Sequence, residues 1–307
     1  MENNIYDLAI LGAGPAGICA AIYATRAKLN TIWLDRKFVQ GGQIVDTYEV
    51  DNYPGLPGIT GLDLGEAMAG HAEKLGLKPK REPVLSVTDE GEIKVIRTKK
   101  NEYHARAVII ACGATHRHLG IPGEEELGGM GVSYCATCDA AFFQEGTVAV
   151  VGGGNVAVED AVLLSRTCKK VYLVHRRDEL RAEKILQDSL FACHNVELVW
   201  DCVPVSVEGE DKVTALKVRN VKTDEEKEIS VDGVFIAVGI VPGSGKFKDL
   251  VKMDESGYII AGEDGVTSTP GIFAAGDIRT KNLRQVVTAV ADGANAVAAV
   301  QRYLMEY

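Results

Sequence analysis

The chain contains two glycine-rich fingerprints, and each directly follows a short apolar stretch. The motif Gly12-Ala13-Gly14-Pro15-Ala16-Gly17 follows residues 7–11, and Gly152-Gly153-Gly154-Asn155-Val156-Ala157 follows residues 147–151. Between a strand and a helix, the first glycine of such a motif makes the turn and the second lets backbone approach a pyrophosphate. The third position allows close helix–strand packing, and the helix N-terminus faces the phosphates. The sequence therefore predicts two dinucleotide-binding units.

The two units differ in the residue that lies 23 positions after the first glycine. In the first unit this residue is Asp35. In the second unit it is His175, which opens a basic cluster that also contains Arg176, Arg177 and Arg181. An acid there binds ribose hydroxyls and repels a 2′-phosphate, whereas arginine pairs bidentately with phosphate. The pattern favours FAD or NAD in the first unit and NADP in the second. The alternative interpretation of the basic cluster is a solvated charged turn.

The segments that follow the two fingerprints resemble each other, which indicates an internal duplication. After the first fingerprint the patterns predict helices at 18–28 and 61–75 and strands at 31–34, 84–87, 93–98, 103–105 and 107–112. After the second they predict a helix ending near 165, strands at 170–174 and 233–239, and antiparallel strands at 197–201, 213–221 and 226–231. A strand that ends at Gly276-Asp277 and a long helix over 285–305 complete the chain.

The motif Cys135-Ala136-Thr137-Cys138-Asp139 lies just before the second fingerprint. Its two cysteines could form a redox disulfide, bind a metal or remain separate thiols; a zinc site would need further ligands such as His116 and His118. Thiol exchange requires a thiolate, and Asp139 could carry the proton that moves in that exchange. Two dinucleotide sites beside a Cys-x-x-Cys motif favour an electron relay, with FAD in the first unit and NADPH in the second.

The composition limits the partners and the compartment. The formal net charge of −10 argues against nucleic acid and anionic membranes as partners. The seven cysteines are an odd number with only one close pair, which is unlike a secreted disulfide framework. Residues 1–4 lack the basic region of a signal peptide, and the apolar stretch ending at residue 11 is too short to span a membrane. We therefore expect a cytoplasmic protein.

Over nearly its whole length the sequence resembles the low-molecular-weight, bacterial-type thioredoxin reductases. The matching segments are the first fingerprint, Gly41-Gly42-Gln43, Cys135 to Asp139, Gly152 to Asn155, His175 to Asp178, Arg181 to Ile185, Gly276-Asp277 and Leu283 to Val287. The resemblance implies an α/β fold of two Rossmann-like, three-layer β/β/α domains, with the NADPH domain inserted into the FAD domain. The implied boundaries are 1–114 and 244–307 for the FAD domain and 115–243 for the NADPH domain, with hinges near 113–115 and 239–245.

The resemblance also implies roles for individual residues. NADPH reduces FAD, the flavin reduces the Cys135–Cys138 disulfide through Cys138, and Cys135 attacks the disulfide of thioredoxin while Asp139 acts as general acid. The implied NADPH contacts are Gly152, Gly154, Asn155, Val156, His175, Arg176, Arg177, Arg181 and Ile240. The implied FAD contacts are the first fingerprint, Asp35, Arg36, Gly42, Gln43, Asn52, Val84, Gly113, Asp277, Arg284, Gln285 and Val286. The family is homodimeric.

Several positions depart from the pattern of the family. Cys112 replaces a commoner Thr, Val156 a commoner Ser or Thr, Ala140 a commoner Gly, and Pro242-Gly243-Ser244 a commoner Pro-Asn-Thr. These departures leave open weaker NADPH contacts or a changed partner surface. The competing hypotheses are the same scaffold with reduced ferredoxin as donor, the same scaffold serving a thioredoxin-like protein or peroxidase, and a non-catalytic flavin-bound redox sensor.

Overall fold

The computed structural model of the protein describes residues 5–47 and 50–306 and divides the chain into two compact units. Unit 1 contains the chain up to Thr115 and again from Val241 onward, and unit 2 is His116–Ile240. Unit 2 is thus inserted in the sequence of unit 1. Among the described residues, no helix combines the length and the apolar character needed to cross a membrane.

The strands and helices are numbered in chain order. The strands are β1 Ile5–Leu11, β2 Thr31–Asp35, β3 Lys80–Arg81, β4 Val84–Glu90, β5 Ile93–Thr98, β6 Glu102–Ile110, β7 Ala114–His116, β8 Val132–Ser133, β9 Thr147–Val151, β10 Lys170–Val174, β11 Val196–Val199, β12 Cys202–Gly209, β13 Val213–Asn220, β14 Glu226–Ser230, β15 Gly233–Ile236, β16 Ile240–Pro242 and β17 Ile272–Ala274. The α-helices are α1 Pro15–Arg26, α2 Gly61–Lys74, α3 Ala136–Asp139, α4 Asn155–Leu164, α5 Lys184–Phe191 and α6 Val286–Glu306.

The main sheet of unit 1 is built around strand β6. The strand order is β3-β2-β1-β6-β5-β4, and β17 also pairs with β6. The first part of β6 pairs antiparallel with β5, whereas its last part pairs parallel with β17, and β1 runs parallel along its other side. The prediction of two separate strands at 103–105 and 107–112 is therefore wrong. One strand changes partner along its length, which local residue patterns do not reveal.

The long helix α6 packs on α1 at a point where no side chain fits. A Cβ atom built on Gly293 would lie 2.2 Å from the backbone oxygen of Ala16. Ala16 belongs to the first fingerprint, and it is buried with Ala20, Ala289 and Ala296 in one apolar cluster. Small residues on both helices therefore bring α6 directly against the start of α1.

Unit 2 repeats the parallel core of unit 1. Its five-stranded sheet has the order β11-β10-β9-β15-β8, and the antiparallel strands β12, β13 and β14 form a separate sheet. The α/β class with Rossmann-like parallel sheets is confirmed. One local prediction is wrong: the strand predicted at 197–201 is β11, and it pairs parallel with β10, not antiparallel. Strand β12 and helices α3 and α5 were not predicted.

We expect Gly293→Ala to destabilise unit 1. Its new methyl group would force α6 away from Ala16, and overpacking of this kind costs about 1–3 kcal/mol of unfolding free energy. Denaturant melts would measure the change. The matched control is Gly70→Ala in α2, where a Cβ meets nothing within 4 Å and the helix should be unchanged or slightly stabilised. Equal effects of the two substitutions would contradict the close approach at Gly293.

Candidate functional site

The first fingerprint in unit 1 forms a turn that only glycine can make. Gly12 has a φ of 113°, and a Cβ on it would lie 2.3 Å from the backbone oxygen of Ala111. The indole Nε1 of Trp33 donates to the carbonyl of Gly12 at 2.9 Å, and a Cβ on Gly17 would lie 2.0 Å from that same oxygen. The turn is thus held between β1 and β6, and α1 begins at Pro15, three residues earlier than predicted.

A second glycine turn lies against the fingerprint. The amide of Gly41 donates to the carbonyl of Ala13 at 2.7 Å. Gly42 has a φ of 68°, and a Cβ on it would lie 3.0 Å from the Cα of Gly14. Gln43 follows directly and is the residue before a short 3-10 turn. The structure therefore brings the predicted residue Gly42 against the fingerprint, with the predicted residue Gln43 next to it in the chain.

Asp35 and Arg36 lie where β2 ends, at the edge of the sheet that carries the fingerprint. Burial raises the pKa of Asp35, and the backbone amide of Arg36 opposes that rise. Cys112 lies near the same edge, where burial raises the pKa of its thiol and its Sγ is 3.5 Å from the carbonyl oxygen of Leu11. Cys112 is therefore a partly buried thiol whose raised pKa keeps it protonated.

The turn Gly276-Asp277 is held by a buried carboxylate from α6. Asp292 accepts the amide of Gly276 at 2.8 Å and two hydrogen bonds from the Arg279 guanidinium, at 2.8 and 2.6 Å. Lys281 is the second cation that contacts this carboxylate, with its Nζ 2.9 Å from Asp292 Oδ2. Gly276 also contacts the fingerprint, because a Cβ on it would lie 2.9 Å from the Cβ of Ala16. Asp292 therefore fixes the Gly276-Asp277 turn against the start of α1.

Two buried polar atoms near this turn have no hydrogen-bond partner within the described part of the chain. They are Oδ1 of Asp277 and Nε of Arg284. Burial raises the pKa of Asp277, while the charges of Lys281 and Arg284 oppose that rise. The guanidinium carbon of Arg284 lies 4.0 Å from the ring centroid of Tyr258, so the arginine is held in place without using its Nε. Buried polar atoms without partners indicate a missing hydrogen-bonding ligand.

The remaining predicted flavin contacts lie in loops of unit 1 and at the starts of β4 and α6. Nδ2 of Asn52 donates to Oε1 of Gln285 at 3.0 Å, which joins segments 233 residues apart. The carbonyl of Val84 accepts from Lys246 Nζ at 3.0 Å, and the carbonyl of Gly113 accepts from the amide of Gly243 at 2.9 Å. Val286 begins α6 and packs on the cluster around Ile44.

The residues of unit 1 fit an FAD molecule. The glycine turns leave backbone amides free of side chains at the start of α1, which suits a pyrophosphate. Asp35 stands at the strand end where a ribose is bound, and the unpaired Oδ1 of Asp277 suits a sugar hydroxyl. The assignment of single residues to individual atoms of the cofactor stays a prediction.

Cys135 and Cys138 in unit 2 form a disulfide that joins the residue before α3 to the third residue of that helix. Their Cα atoms are 5.3 Å apart, within the usual range for a disulfide. Asp139 ends α3, and its Oδ2 accepts a hydrogen bond of 2.6 Å from the hydroxyl of Ser133. Burial raises the pKa of Asp139, and the hydrogen bond from Ser133 acts in the opposite direction. A carboxyl group that retains its proton more readily suits a general acid.

The histidines that could have completed a zinc site instead surround Tyr134. The ring of His116 stacks on Tyr134 with centroids 5.1 Å apart, and Nδ1 of His118 lies 3.0 Å from the phenol oxygen. Tyr134 donates to the buried carboxylate of Glu124 at 2.7 Å. Within residues 5–47 and 50–306, no three His, Cys, Asp or Glu side chains are arranged to hold a metal ion. The cysteine pair is bonded to itself.

His175 lies beneath the second fingerprint and is buried, with 5% of its surface exposed. A Cβ on Gly153 would lie 2.2 Å from the imidazole ring, so the glycine allows the ring and the turn to pack together. Burial lowers the pKa of His175, and the positive charge of Arg181 lowers it further. Nε2 of His175 is buried without a hydrogen-bond partner among the described residues. The ring is therefore neutral, with one polar atom free for a ligand.

The three predicted arginines lie at the surface beside this fingerprint. The side chains of Arg176, Arg177 and Arg181 are exposed, and none forms an ion pair within the described part of the chain. The amide of Arg181 donates to the carbonyl of Gly153 at 2.7 Å, which anchors the cluster beside the glycine turn. An unneutralised triple positive charge beside a glycine turn suits the 2′-phosphate of NADPH.

The turn itself is open where a nucleotide would approach. A Cβ on Gly154 would meet nothing within 4 Å, whereas one on Gly152 would lie 2.5 Å from the carbonyl oxygen of Ala237. Asn155 opens α4 and is tied to Glu183 by two hydrogen bonds of 2.9 and 3.1 Å. Val156 is exposed, and Ile240 begins β16 at the end of unit 2. The residues of unit 2 fit NADPH.

Sequence reasoning missed two of the residues that organise these sites. Ser133 lies two residues before Cys135, and its hydroxyl gave no signal beyond its nearness to the motif. Asp292 lies in the Ala- and Val-rich helix α6. A single acid on the otherwise apolar face of a helix was a usable signal, since a buried charge requires partners.

Comparison with known proteins shows similarity to one family over nearly the whole chain. The family model described as pyridine nucleotide-disulphide oxidoreductase matches residues 6–293. Thioredoxin reductase of Listeria innocua is 48% identical over 306 residues, which cover 99% of this chain and 96% of the relative. Thioredoxin reductase of Bacillus subtilis is 47% identical with the same coverage. The crystal structure of thioredoxin reductase from Streptococcus pyogenes has a TM-score of 0.95 and 45% identity and is covered completely.

We expect Asp292→Asn to destabilise unit 1 strongly. The substitution leaves Arg279 and Lys281 buried without their counter-charge, and breaking a buried ion pair costs about 3–5 kcal/mol of unfolding free energy. Denaturant melts of the flavin-loaded protein would measure it. The control is Asp188→Asn, which removes an exposed pair with Lys184 at 4.0 Å and should change stability by less than about 0.5 kcal/mol. A change at Asp292 as small as the control would show that its ion pairs do not stabilise the fold.

Proposed function

Because the chain belongs to the pyridine nucleotide-disulphide oxidoreductase family, we propose that it passes electrons from NADPH, through FAD and the Cys135–Cys138 disulfide, to oxidised thioredoxin. The observation that carries the proposal is the disulfide in unit 2. It shares that unit with a glycine turn flanked by three exposed arginines that lack acidic partners among the described residues. The relatives that cover nearly the whole chain bear the name of this activity.

Unit 1 holds FAD and unit 2 holds NADPH. The domain boundaries predicted from the sequence, 1–114 with 244–307 and 115–243, differ from those of the two units by one to three residues. When bound, NADPH supplies a hydride, and FAD converts hydride transfer into the two-electron reduction of a disulfide. Asp35, Asp277 and the first fingerprint bind the flavin nucleotide. The arginines and the open face at Gly154 bind the nicotinamide nucleotide. The opposite charges at the two strand ends support this division, since the carboxylate of Asp35 would repel a 2′-phosphate.

The cysteines then exchange electrons with the protein substrate. Reduction by two electrons breaks the bond between Cys135 and Cys138 and leaves each cysteine as a thiolate. The Cys135 thiolate attacks one sulfur of the substrate disulfide, which breaks that bond and releases a substrate thiolate. Asp139 gives its proton to that thiolate. The Cys138 thiolate then attacks Cys135, which re-forms the internal disulfide and releases the second substrate thiolate, protonated from solvent.

Reduced ferredoxin as electron donor is the less supported alternative. A ferredoxin-fed enzyme has no use for a 2′-phosphate site, whereas the side chains of Arg176, Arg177 and Arg181 are exposed and unneutralised beside the glycine turn of unit 2. A flavin-bound sensor without catalytic function would have no need for a disulfide with a neighbouring buried acid. We further propose that the protein is a cytoplasmic homodimer, in keeping with its odd cysteine number and with the family resemblance; light scattering of the purified protein tests the dimer.

The proposed function is tested without oxygen on the purified yellow protein. NADPH should bleach the flavin absorbance, and oxidised thioredoxin should then restore it. Bleaching by reduced ferredoxin but not by NADPH would overturn the choice of donor. Bleaching by NADPH without recovery on adding thioredoxin would overturn the choice of acceptor. In Cys135→Ser, NADPH should still bleach the flavin while thioredoxin reduction is lost, and a variant that still reduced thioredoxin would refute the role of Cys135.

We expect Arg181→Ala to weaken NADPH without affecting NADH. One hydrogen bond between charged groups contributes about 1.5–3 kcal/mol, so the KM for NADPH should rise about 10- to 100-fold. The KM for NADH, which lacks the 2′-phosphate, should stay the same. Steady-state rates with both nucleotides measure the effect. Arg166→Ala, which removes an exposed arginine elsewhere in unit 2, is the control and should change neither KM. A parallel rise for both nucleotides would contradict the 2′-phosphate assignment.

A further inference from the structure

Ser133 is a buried hydroxyl residue placed directly behind the redox disulfide. It ends β8, pairs in register with Phe235 of β15 and exposes only 5% of its surface. The parallel sheet of unit 2 therefore fixes its backbone. Its Oγ accepts the amide of Cys135 at 3.1 Å and donates to Oδ2 of Asp139 at 2.6 Å. One hydroxyl thus connects the backbone of the first cysteine to the carboxyl group that follows the second.

The hydroxyl can serve Asp139 in both of its protonation states. A hydroxyl has one donor and two acceptor positions, and its hydrogen rotates to suit its surroundings. With Asp139 ionised, Ser133 donates to Oδ2. With Asp139 protonated, the carboxylic acid donates to Oγ, and the hydrogen of Ser133 turns to the carbonyl of Cys135, which lies 3.4 Å from Oγ. The carboxyl group therefore keeps its place when its proton leaves and returns.

We propose that Ser133 is a positioning residue that holds the carboxyl group of Asp139 beside the disulfide turn throughout the thiol exchange. The inference deepens the proposed function and rests on it, because it concerns the proton that Asp139 gives to the departing substrate thiolate. When that proton leaves, the carboxylate accepts the hydrogen bond of Ser133; a proton from solvent then restores the acid. Ser133 itself gains and loses no proton, so the step stays balanced.

Among the described groups around Asp139, Ser133 is the one that forms a hydrogen bond with its carboxyl group. Along residues 133–143, the one titratable side chain besides Asp139 is Tyr134 while the two cysteines are bonded to each other. Burial and the hydrogen bond to the Glu124 carboxylate raise the pKa of Tyr134, so it keeps its proton over the pH range of the test. After reduction the cysteine thiols titrate as well, but a thiolate nucleophile makes the rate rise with pH. The helix packed against α3 is α4, which carries Glu159 and Asp160. Burial and the neighbouring Glu159 carboxylate raise the pKa of Asp160 to about 7, so its titration must be separated from that of Asp139.

The test is a pH profile of the second half-reaction. Protein reduced by NADPH is mixed with oxidised thioredoxin, and the rate of flavin recovery is followed from about pH 5 to 9 in wild type and in Ser133→Ala. A general acid works while protonated, so the rate falls as pH rises through the pKa of Asp139. In Ser133→Ala the hydrogen bond that lowers the pKa of Asp139 is lost, so this pKa rises. The fall in rate should therefore occur at a pH about one to two units higher than in wild type. The rate on the plateau should fall by about 10-fold or more, because the acid is less well placed.

A double variant separates this role from a general structural one. Asp139→Asn should remove the falling limb, and Ser133→Ala added to it should change the rate by less than about 2-fold, since both act through one group. A further large loss in the double variant, or an unchanged limb in Ser133→Ala, overturns the proposal. Asp160→Asn should leave the difference between wild type and Ser133→Ala intact; loss of that difference would assign the limb to Asp160.

The outcome also distinguishes this proposal from the proposed function. If NADPH does not bleach the wild-type flavin, the proposed function fails, and the proposal for Ser133 fails with it. If wild type completes both half-reactions and Ser133→Ala shows the same pH profile, only the role of Ser133 is refuted. Flavin content and thermal melting of each variant separate a loss of positioning from a folding defect. Both should stay near wild type in Ser133→Ala, because removing one buried hydroxyl oxygen leaves the backbone pairing with β15 in place.

Discussion

The buried carboxylate of Asp292 is the interaction on which the geometry of unit 1 depends. It binds Arg279, Lys281 and the amide of Gly276, so one anion on α6 is surrounded by two cations and a backbone donor. Burying three charges is costly unless they are paired and hydrogen-bonded, and here each is. The result is a fixed distance between the last helix and the Gly276-Asp277 turn. Asp277 can then offer an unpaired oxygen at a defined place without using it to hold the fold.

Both units contain the same kind of glycine turn, but the side chains at the end of the next strand carry opposite charges. In both, a glycine turn joins a parallel strand to a helix whose first residues carry no side chain that blocks a phosphate. At the end of the next strand unit 1 has Asp35, whereas unit 2 has buried His175 and exposed arginines. Burial lowers the pKa of His175, and its ring packs beneath the turn, so under the proposed function the exposed arginines are the groups that would discriminate the 2′-phosphate. In the proposed function the backbone turn therefore binds a dinucleotide, and the residues at the end of the next strand select which one.

The sequence was sufficient for features that depend on neighbouring residues. The glycine turns, the strands before them and the helices after them follow from local sterics, and they lie within a few residues of the predicted positions. Features set by distant pairing were not predictable in this way. Strand β6 changes partner from β5 to β17, β12 contains Pro204, and Asp292 meets Arg279 only in the folded chain. Likewise the sequence did not indicate a role for Ser133, because that role depends on where Asp139 lies in the folded chain.

The segment before the disulfide is held on both sides by hydrogen bonds from Ser133 and Tyr134. Neither residue belongs to the cysteine motif, so the motif alone could not indicate this arrangement. Successive residues of an extended segment point to opposite sides. Ser133 turns toward Asp139, and Tyr134 turns toward the buried carboxylate of Glu124, which two backbone amides also hold. Burial acts to raise the pKa of Glu124, but these hydrogen bonds lower it, so Glu124 is an anion that anchors the turn, whereas Asp139 remains able to hold a proton. Two carboxyl groups near the same cysteine pair therefore differ in how readily each holds a proton, and the number of hydrogen bonds that each accepts accounts for that difference.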